Sequence, residues 1–300
     1  MAVISESLVE SAVEEVTPKK SWANIVWSST KKYPLGAFGM AVVVLMIFLA
    51  VFADVLTPYD PESNAFEFML TSPNADYWMG TDQFGRDILT RIIYGARTAL
   101  LVGFTCAIVG SFTGLVLGVA SAYFGGLFDL IFQRIMDVFM AFPLIIMALA
   151  VVSIFGTGTQ NVIIAITIPF IPRCARVVRS SALAIREIPY VDAARALGFG
   201  HSRIILRHMT PNVMAPFLIM LSAFVGQAIL LEASLSYLGL GAQPPASSWG
   251  RMLSEAQTLM YLAPQLAIYP GLCIVVAVLG FGLLGDGLHD ITDPRLVRAR

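Results

Sequence analysis

Tyr190 to Asn212 read YVDAARALGFGHSRIILRHMTPN, a polar and basic stretch between two strongly apolar segments. It carries Arg195, Arg203 and Arg207 together with His201 and His208. Val191 to Leu197 contains good helix formers and a small, flat patch at Ala193 and Ala194. Gly198 and Gly200 supply turn chemistry, because glycine adopts positive φ without a Cβ clash and commonly ends helices. Ser202 is placed to cap a second helix, Arg203 to Met209, and Pro211 to stop it. The expected local structure is a helix–turn–helix on the surface of a membrane protein. A basic loop between spans can be no more than a topology signal, but the order and spacing of this one ask for more.

The membrane assignment rests on composition. The chain has 300 residues, 57% hydrophobic and 13% charged, with mean hydropathy +0.77. A soluble domain normally carries about 25% charged residues. Several apolar runs exceed the roughly 18–20 residues that cross a bilayer as a helix. Cys106, Cys174 and Cys273 lie far apart in or near apolar segments. They have no metal or redox spacing and read as packing residues. The net charge of −1 says nothing about partners, since what matters is where the charges lie; no nucleic-acid partner is expected.

The expected fold is all-α and integral to the membrane, with six transmembrane helices and the helix–turn–helix between spans 4 and 5. Residues 1–34 form a cytoplasmic tail with a short interfacial helix over Trp22 to Lys32, and 35–300 form the membrane domain. The spans are expected at about 35–56, 99–124, 130–155, 161–178, 213–235 and 262–284. In the second, Gly103, Gly110, Gly114 and Gly118 recur near helical spacing. Small residues let helix backbones approach closely in lipid, so this face should pack on other spans. Arg134 and Asp137 sit three apart near the start of the third span and are expected to pair with each other at its cytoplasmic rim. Pro169 and Pro172 should kink the fourth span, and Pro264 and Pro270 should interrupt the sixth.

Between spans 1 and 2 lies Gly80-Thr81-Asp82-Gln83-Phe84-Gly85-Arg86-Asp87, followed by Arg91, Tyr94, Gly95, Ala96 and Arg97. Its turn residues and alternating charges suggest a folded, hydrogen-bonded external element over 80–97. Tyr237 to Leu253, with Pro244-Pro245 and Trp249-Gly250, reads as a re-entrant or surface scoop on the same side. With both termini inside, fifteen of the nineteen Lys and Arg residues fall on the inner side, and only Arg86, Arg91, Arg97 and Arg251 lie outside. That positive-inside bias places 190–212 in the cytoplasm.

Asp192-Ala193-Ala194, three residues, Gly198, nine residues and then His208-Met209-Thr210-Pro211 resembles the EAA loop of ABC importer permeases. Asp192 stands where that family usually has Glu, and Thr210 where it usually has Leu. GTDxxGRD before RxxYGAR, YFGGLFD at 123–129, MDVFMAFP at 136–143, SYLGLGAQPP at 236–245, SSWGRML at 247–253 and LLGDGLHDITDPR at 283–295 extend the resemblance over nearly everything after residue 30. The chain resembles the dipeptide/oligopeptide-type permease subunit of a bacterial ABC importer. The resemblance implies a multi-pass protein of the bacterial cytoplasmic membrane, with a paralogous permease subunit, two ABC ATPase subunits and an extracytoplasmic substrate-binding protein as partners. It also implies a coupling helix at Asp192, Ala193, Ala194 and Gly198 that docks on an ATPase, with Arg195, Arg203 and Arg207 flanking it. Gly80, Thr81, Asp82, Gly85, Arg86 and Asp87 would then be the family's external motif. The chain lacks GxxxxGK[ST], so no cofactor is expected in it; ATP and Mg would sit on the partners. Glu232, near the outer end of span 5, could face the translocation path, although a rim carboxylate or one paired within the fold fits it better. Cargo is expected to be di- or oligopeptides, with nickel chelates, glutathione, opines or oligosaccharides as alternatives. A secondary transporter would show mid-span charges and a repeat with broken helices, a channel a filter or charged ring, and neither pattern is visible in the sequence.

Overall fold

The structure, a computed structural model, describes residues 33–292. The tail and the interfacial helix expected before residue 33, and the last residues of the chain, lie outside the described part. Nine helices carry the description. They are α1 Pro34–Val51, α2 Ile88–Phe124, α3 Gly126–Met140, α4 Leu144–Phe155, α5 Thr159–Arg186 and α6 Pro189–Ala196. After them come α7 His201–Tyr237, then α8 Trp249–Ala256 and α9 Gln265–Thr292. Among the described residues no β-strand forms; one isolated bridge joins Thr81 and Asp87.

Five of these helices, α1, α2, α5, α7 and α9, are long and apolar enough to cross a membrane, and the bent pair α3–α4 makes a sixth when counted as one span. The third span is therefore not the single helix expected over 130–155. It breaks at Ala141–Pro143 and turns by 88°. Pro143 lacks an N–H and disfavours helical geometry in Phe142 before it, so α3 stops and α4 restarts with Pro143 as its N-cap. The expected pair of Arg134 with Asp137 is also absent; Asp137 instead bridges to Arg176 of α5. Span lengths differ for similar reasons. α2 begins at Ile88, not 99, because Asp87 caps it by accepting from Thr90 N at 2.8 Å and so draws the RxxYGAR run into the helix. α5 runs on to Arg186 and passes through both Pro169 and Pro172. Pro264 precedes α9, leaving only Pro270 inside it.

The centre of the bundle is α2, which packs on α5, α7 and α1, while α9 packs on α1, α7 and α8. The small-residue face of α2 makes those approaches possible. A Cβ on Gly110 would lie 2.8 Å from Phe170 Cβ, one on Gly114 2.6 Å from Cys174 Cβ, and one on Gly118 2.6 Å from Ala175 O. Gly103 instead faces Ile229 and Val225 of α7. The expected packing face is present, and Cys106 and Cys174 are buried within it. Gly114→Leu would force α2 and α5 apart, since two of the three nearest atoms are backbone. The expected loss is about 1–3 kcal/mol, read as a lower unfolding midpoint of the detergent-solubilised protein. An unchanged midpoint would show that the two helices are not held this closely.

Candidate functional site

The helix–turn–helix is present, built differently in its second half. Pro189 opens α6 at its first position, where the missing N–H costs nothing. The helix ends in a Schellman arrangement, with Gly198 N–H donating to Arg195 O at 2.9 Å and Phe199 N–H to Ala194 O at 3.2 Å. Gly198 has φ +75 and supplies the left-handed residue that this stop requires. Gly200 has φ −65 and acts as the N-cap of α7, a role the sequence reading gave to Ser202. Pro211 does not end the second helix. The backbone widens to a π-turn over Ile204–Met209 and tightens to a 3₁₀ turn over Thr210–Val213, then runs directly into the fifth span. Proline cannot donate to the carbonyl four residues back and its ring clashes there. Shifting the register around it lets the helix continue. The carbonyl of His208 accepts from Asn212 Nδ2 at 2.7 Å and from Tyr190 Oη at 2.9 Å, and Thr210 Oγ1 donates to Ile205 O at 2.9 Å.

Side chains pin this element to the adjoining ends of the spans. Val191, Ala194, Ile204, Met209 and Val213 are buried. Tyr123, at the end of α2, meets His201 Nδ1 at 2.6 Å, and the Arg195 guanidinium lies 5.4 Å from the Tyr123 ring centroid. Arg203 covers Phe199 at 4.2 Å, and Phe199 stacks on His208. Arg195 also bridges to Asp192 at 3.1 Å. Of the residues the sequence singled out, Asp192, Ala193, Arg195, Gly198, Arg203 and Arg207 are exposed together. Ala194 is not; it turns inward under Phe199, so it supports the surface without being part of it. Two exposed apolar residues complete the face and were missed, Leu197 (73% exposed) and Leu206 (69%). Their signal was a leucine on the polar side of each short helix.

A second constellation lies at the opposite end of the bundle. Asp82 accepts from Phe84 N–H, Arg86 N–H, Arg86 Nε and Arg91 Nη1. Glu255 of α8 accepts from Arg86 Nη2 and Arg91 Nη1, each at 3.0 Å, and from Arg251 Nε at 2.9 Å. Gly80 and Gly85 both take positive φ, Thr81 N–H donates to Thr71 O, and Asp87 caps α2. The same helical turns carry Arg97, which bridges to Asp54, and Gly95, which lies against the Trp249 ring. The Trp249 indole donates to Ile92 O at 2.9 Å. Nearby, Glu232 Oε1 accepts from Ser236 Oγ at 2.6 Å and Ser248 Oγ at 2.8 Å, tying the scoop to the end of α7. Glu232 is thus paired within the fold. Glu255, the carboxylate that completes the arginine pair, was missed because nothing local marks a partner 164 positions from Arg91.

Residues 110–298 match the family described as binding-protein-dependent transport system inner membrane component. Residues 21–74 match the N-terminal transmembrane domain of oligopeptide transport permease C. The chain is 40% identical to the dipeptide transport system permease protein of Alkalihalophilus pseudofirmus, over 94% of this chain and 93% of that one. It is 41% identical to a putative peptide transport system permease protein of Brucella suis, over 86% and 87% of the two chains. A glutathione transport system permease protein of Pectobacterium atrosepticum is 43% identical over 85% of each. Among solved structures, an inward-facing methionine ABC transporter aligns with TM-score 0.55 over 71% of this chain and 97% of that one, at 21% identity. At that identity the likeness speaks for the fold alone.

Proposed function

The chain belongs to the family of binding-protein-dependent transport system inner membrane components, and from that premise we propose that it forms half of a path for di- or oligopeptides driven by ATP hydrolysis on partner subunits. It is a multi-pass permease subunit of the inner membrane. The other half of the path would come from a paralogous permease. Two ABC ATPase subunits would bind on the cytoplasmic side, carrying the ATP and Mg, and an extracytoplasmic binding protein would deliver cargo. Both termini would be cytoplasmic.

The observation that carries this reading is the 189–213 element. It is a short helix, a glycine stop and a π-turned helix end, fastened to α2 through Tyr123 and His201 and continuous with α7. A push on its exposed face would reach two spans at once. That suits a subunit with no fuel site of its own, because movement must then enter from outside the chain. The peptide cargo is supported by the relatives in dipeptide and peptide systems. Glutathione, itself a peptide, has a relative behind it too.

The test is uptake of labelled dialanine by proteoliposomes holding the full assembly and its binding protein. Uptake that requires ATP on the ATPase side is expected. Uptake driven by an ion gradient without ATP would replace this reading with a secondary transporter.

A further inference from the structure

Arg173 lies midway along α5, the 28-residue span Thr159–Arg186. It is half-buried and makes no ion pair or hydrogen bond among the described residues. The next two arginines on α5 are both engaged, Arg176 with Asp137 and Arg179 with Asp129. Counted from the 156–158 loop at 1.5 Å per residue, Arg173 lies about 21 Å into a hydrocarbon layer about 30 Å thick, roughly 9 Å from its far edge. Ionisable groups within a span nearly always face protein or a water-filled cavity.

A second feature meets it at the same depth. Asp137 sits in the last turn of α3 and pairs with Arg176, one turn of α5 inward from Arg173. From the other side, α4 is twelve residues long and packs on α5. Descending from the 156–158 loop it covers about 18 Å at 1.5 Å per residue, which brings its start level with about Phe170 of α5. The break at Ala141–Pro143 therefore falls between these two marks, at about the depth of Arg173. At that break the carbonyls of Phe139, Met140 and Ala141 accept no backbone hydrogen bond, and Met140 to Pro143 are exposed. Lipid gives such carbonyls no donors, so unwound backbone at membrane depth lines a water-filled or protein-covered space.

We propose that Arg173 and the free carbonyls at the α3–α4 break form a substrate contact point in the translocation path, with Arg173 receiving the carboxylate of a passing peptide and the carbonyls receiving its N–H or ammonium donors. The pairing follows the chemistry of the two ends, because a guanidinium fork matches a carboxylate bidentately and bare carbonyls match only donors. It rests on the peptide reading above and adds the residue that recognises the peptide's charge inside the membrane.

The experiment uses the full assembly in proteoliposomes with labelled dialanine, and compares wild type, Arg173→Gln and Arg173→Lys. Hydrolysis of ATP stimulated by loaded binding protein is followed in parallel. The expected result is that Arg173→Gln keeps stimulated hydrolysis within about two-fold of wild type and loses at least about ten-fold in dialanine uptake, with Arg173→Lys in between. Wild-type uptake by Arg173→Gln, or loss of assembly in both variants, would overturn the proposal, the second by marking Arg173 as a packing or interface charge. Labelling of Arg173→Cys by a sulfonated, water-borne thiol reagent, measured above the native cysteine background and reduced by transported dialanine, is expected as well. Labelling at background would overturn it. A wild-type assembly that hydrolyses ATP but moves no dialanine would count against the peptide reading, while the labelling would still decide whether Arg173 faces the path.

Discussion

Gly198→Trp is expected to abolish ATP-driven uptake while leaving the permease folded and inserted. The local cost is limited. A non-glycine residue at φ +75 loses about 1–2 kcal/mol, and a Cβ built on Gly198 meets nothing within 4 Å. An indole there therefore projects outward from the exposed face instead of into the chain. If an ATPase covers that face, the indole occupies its place; if nothing covers it, transport continues. Gly198→Ala separates the two effects, since it carries the same backbone strain without the bulk. Uptake by the alanine variant should stay within about two-fold of wild type, and uptake by the tryptophan variant should fall below about a tenth. Uptake and cofractionation with the ATPase, measured on membranes with equal permease content, check the prediction. Wild-type uptake by Gly198→Trp would remove the docking role from this face.

Asp82→Ala should cost the fold more than any substitution on the exposed face of the 189–213 element. Arg86 and Arg91 are 5% and 1% exposed, and Asp82 and Glu255 are the carboxylates they share. Removing Asp82 leaves two buried guanidinium groups to one carboxylate that already serves Arg251. Breaking a buried pair by deleting one partner costs about 3–5 kcal/mol, much of it for the charge left behind. Against a total stability of roughly 5–15 kcal/mol that is enough to deplete the folded protein. The loss should appear as low steady-state abundance and an early unfolding midpoint. Glu255→Ala should behave alike, and the double variant should cost less than the sum of the two, because the groups form one network. Full abundance of Asp82→Ala would show that the octet is a solvated turn and not the clamp joining the segment before α2 to α8.

Those two sites also show what a reader of the sequence can and cannot see. The apolar runs announce the spans because a bilayer imposes one length on every helix that crosses it. The 190–212 stretch stands out as charge between such runs, and Gly198 falls where a helix must stop. The third span hides its break, since Ala141, Phe142 and Pro143 are as apolar as their surroundings and hydropathy does not register a missing N–H. Pro211 misleads in the opposite sense. It reads as a terminator, yet the π-turn before it absorbs the clash and the helix continues. The burial of Arg91 depends on Glu255, a contact between distant parts of the chain that no local pattern encodes. Ala194, expected on the docking surface, faces inward while Leu197 faces outward, an arrangement set by the tertiary packing of this two-turn helix and not by its own sequence.

The central claim is that this permease is worked from the cytoplasm through the 189–213 element. Site-directed cross-linking tests it most directly. Ala193→Cys, exposed on α6 and without a long side chain to lose, is treated with a short bifunctional thiol reagent in membranes containing the whole assembly. The account predicts a covalent adduct with an ATPase subunit, and protection of that cysteine from membrane-impermeant reagents added outside intact cells. A cysteine labelled from outside, or one that never joins an ATPase in an assembly that transports, would contradict it.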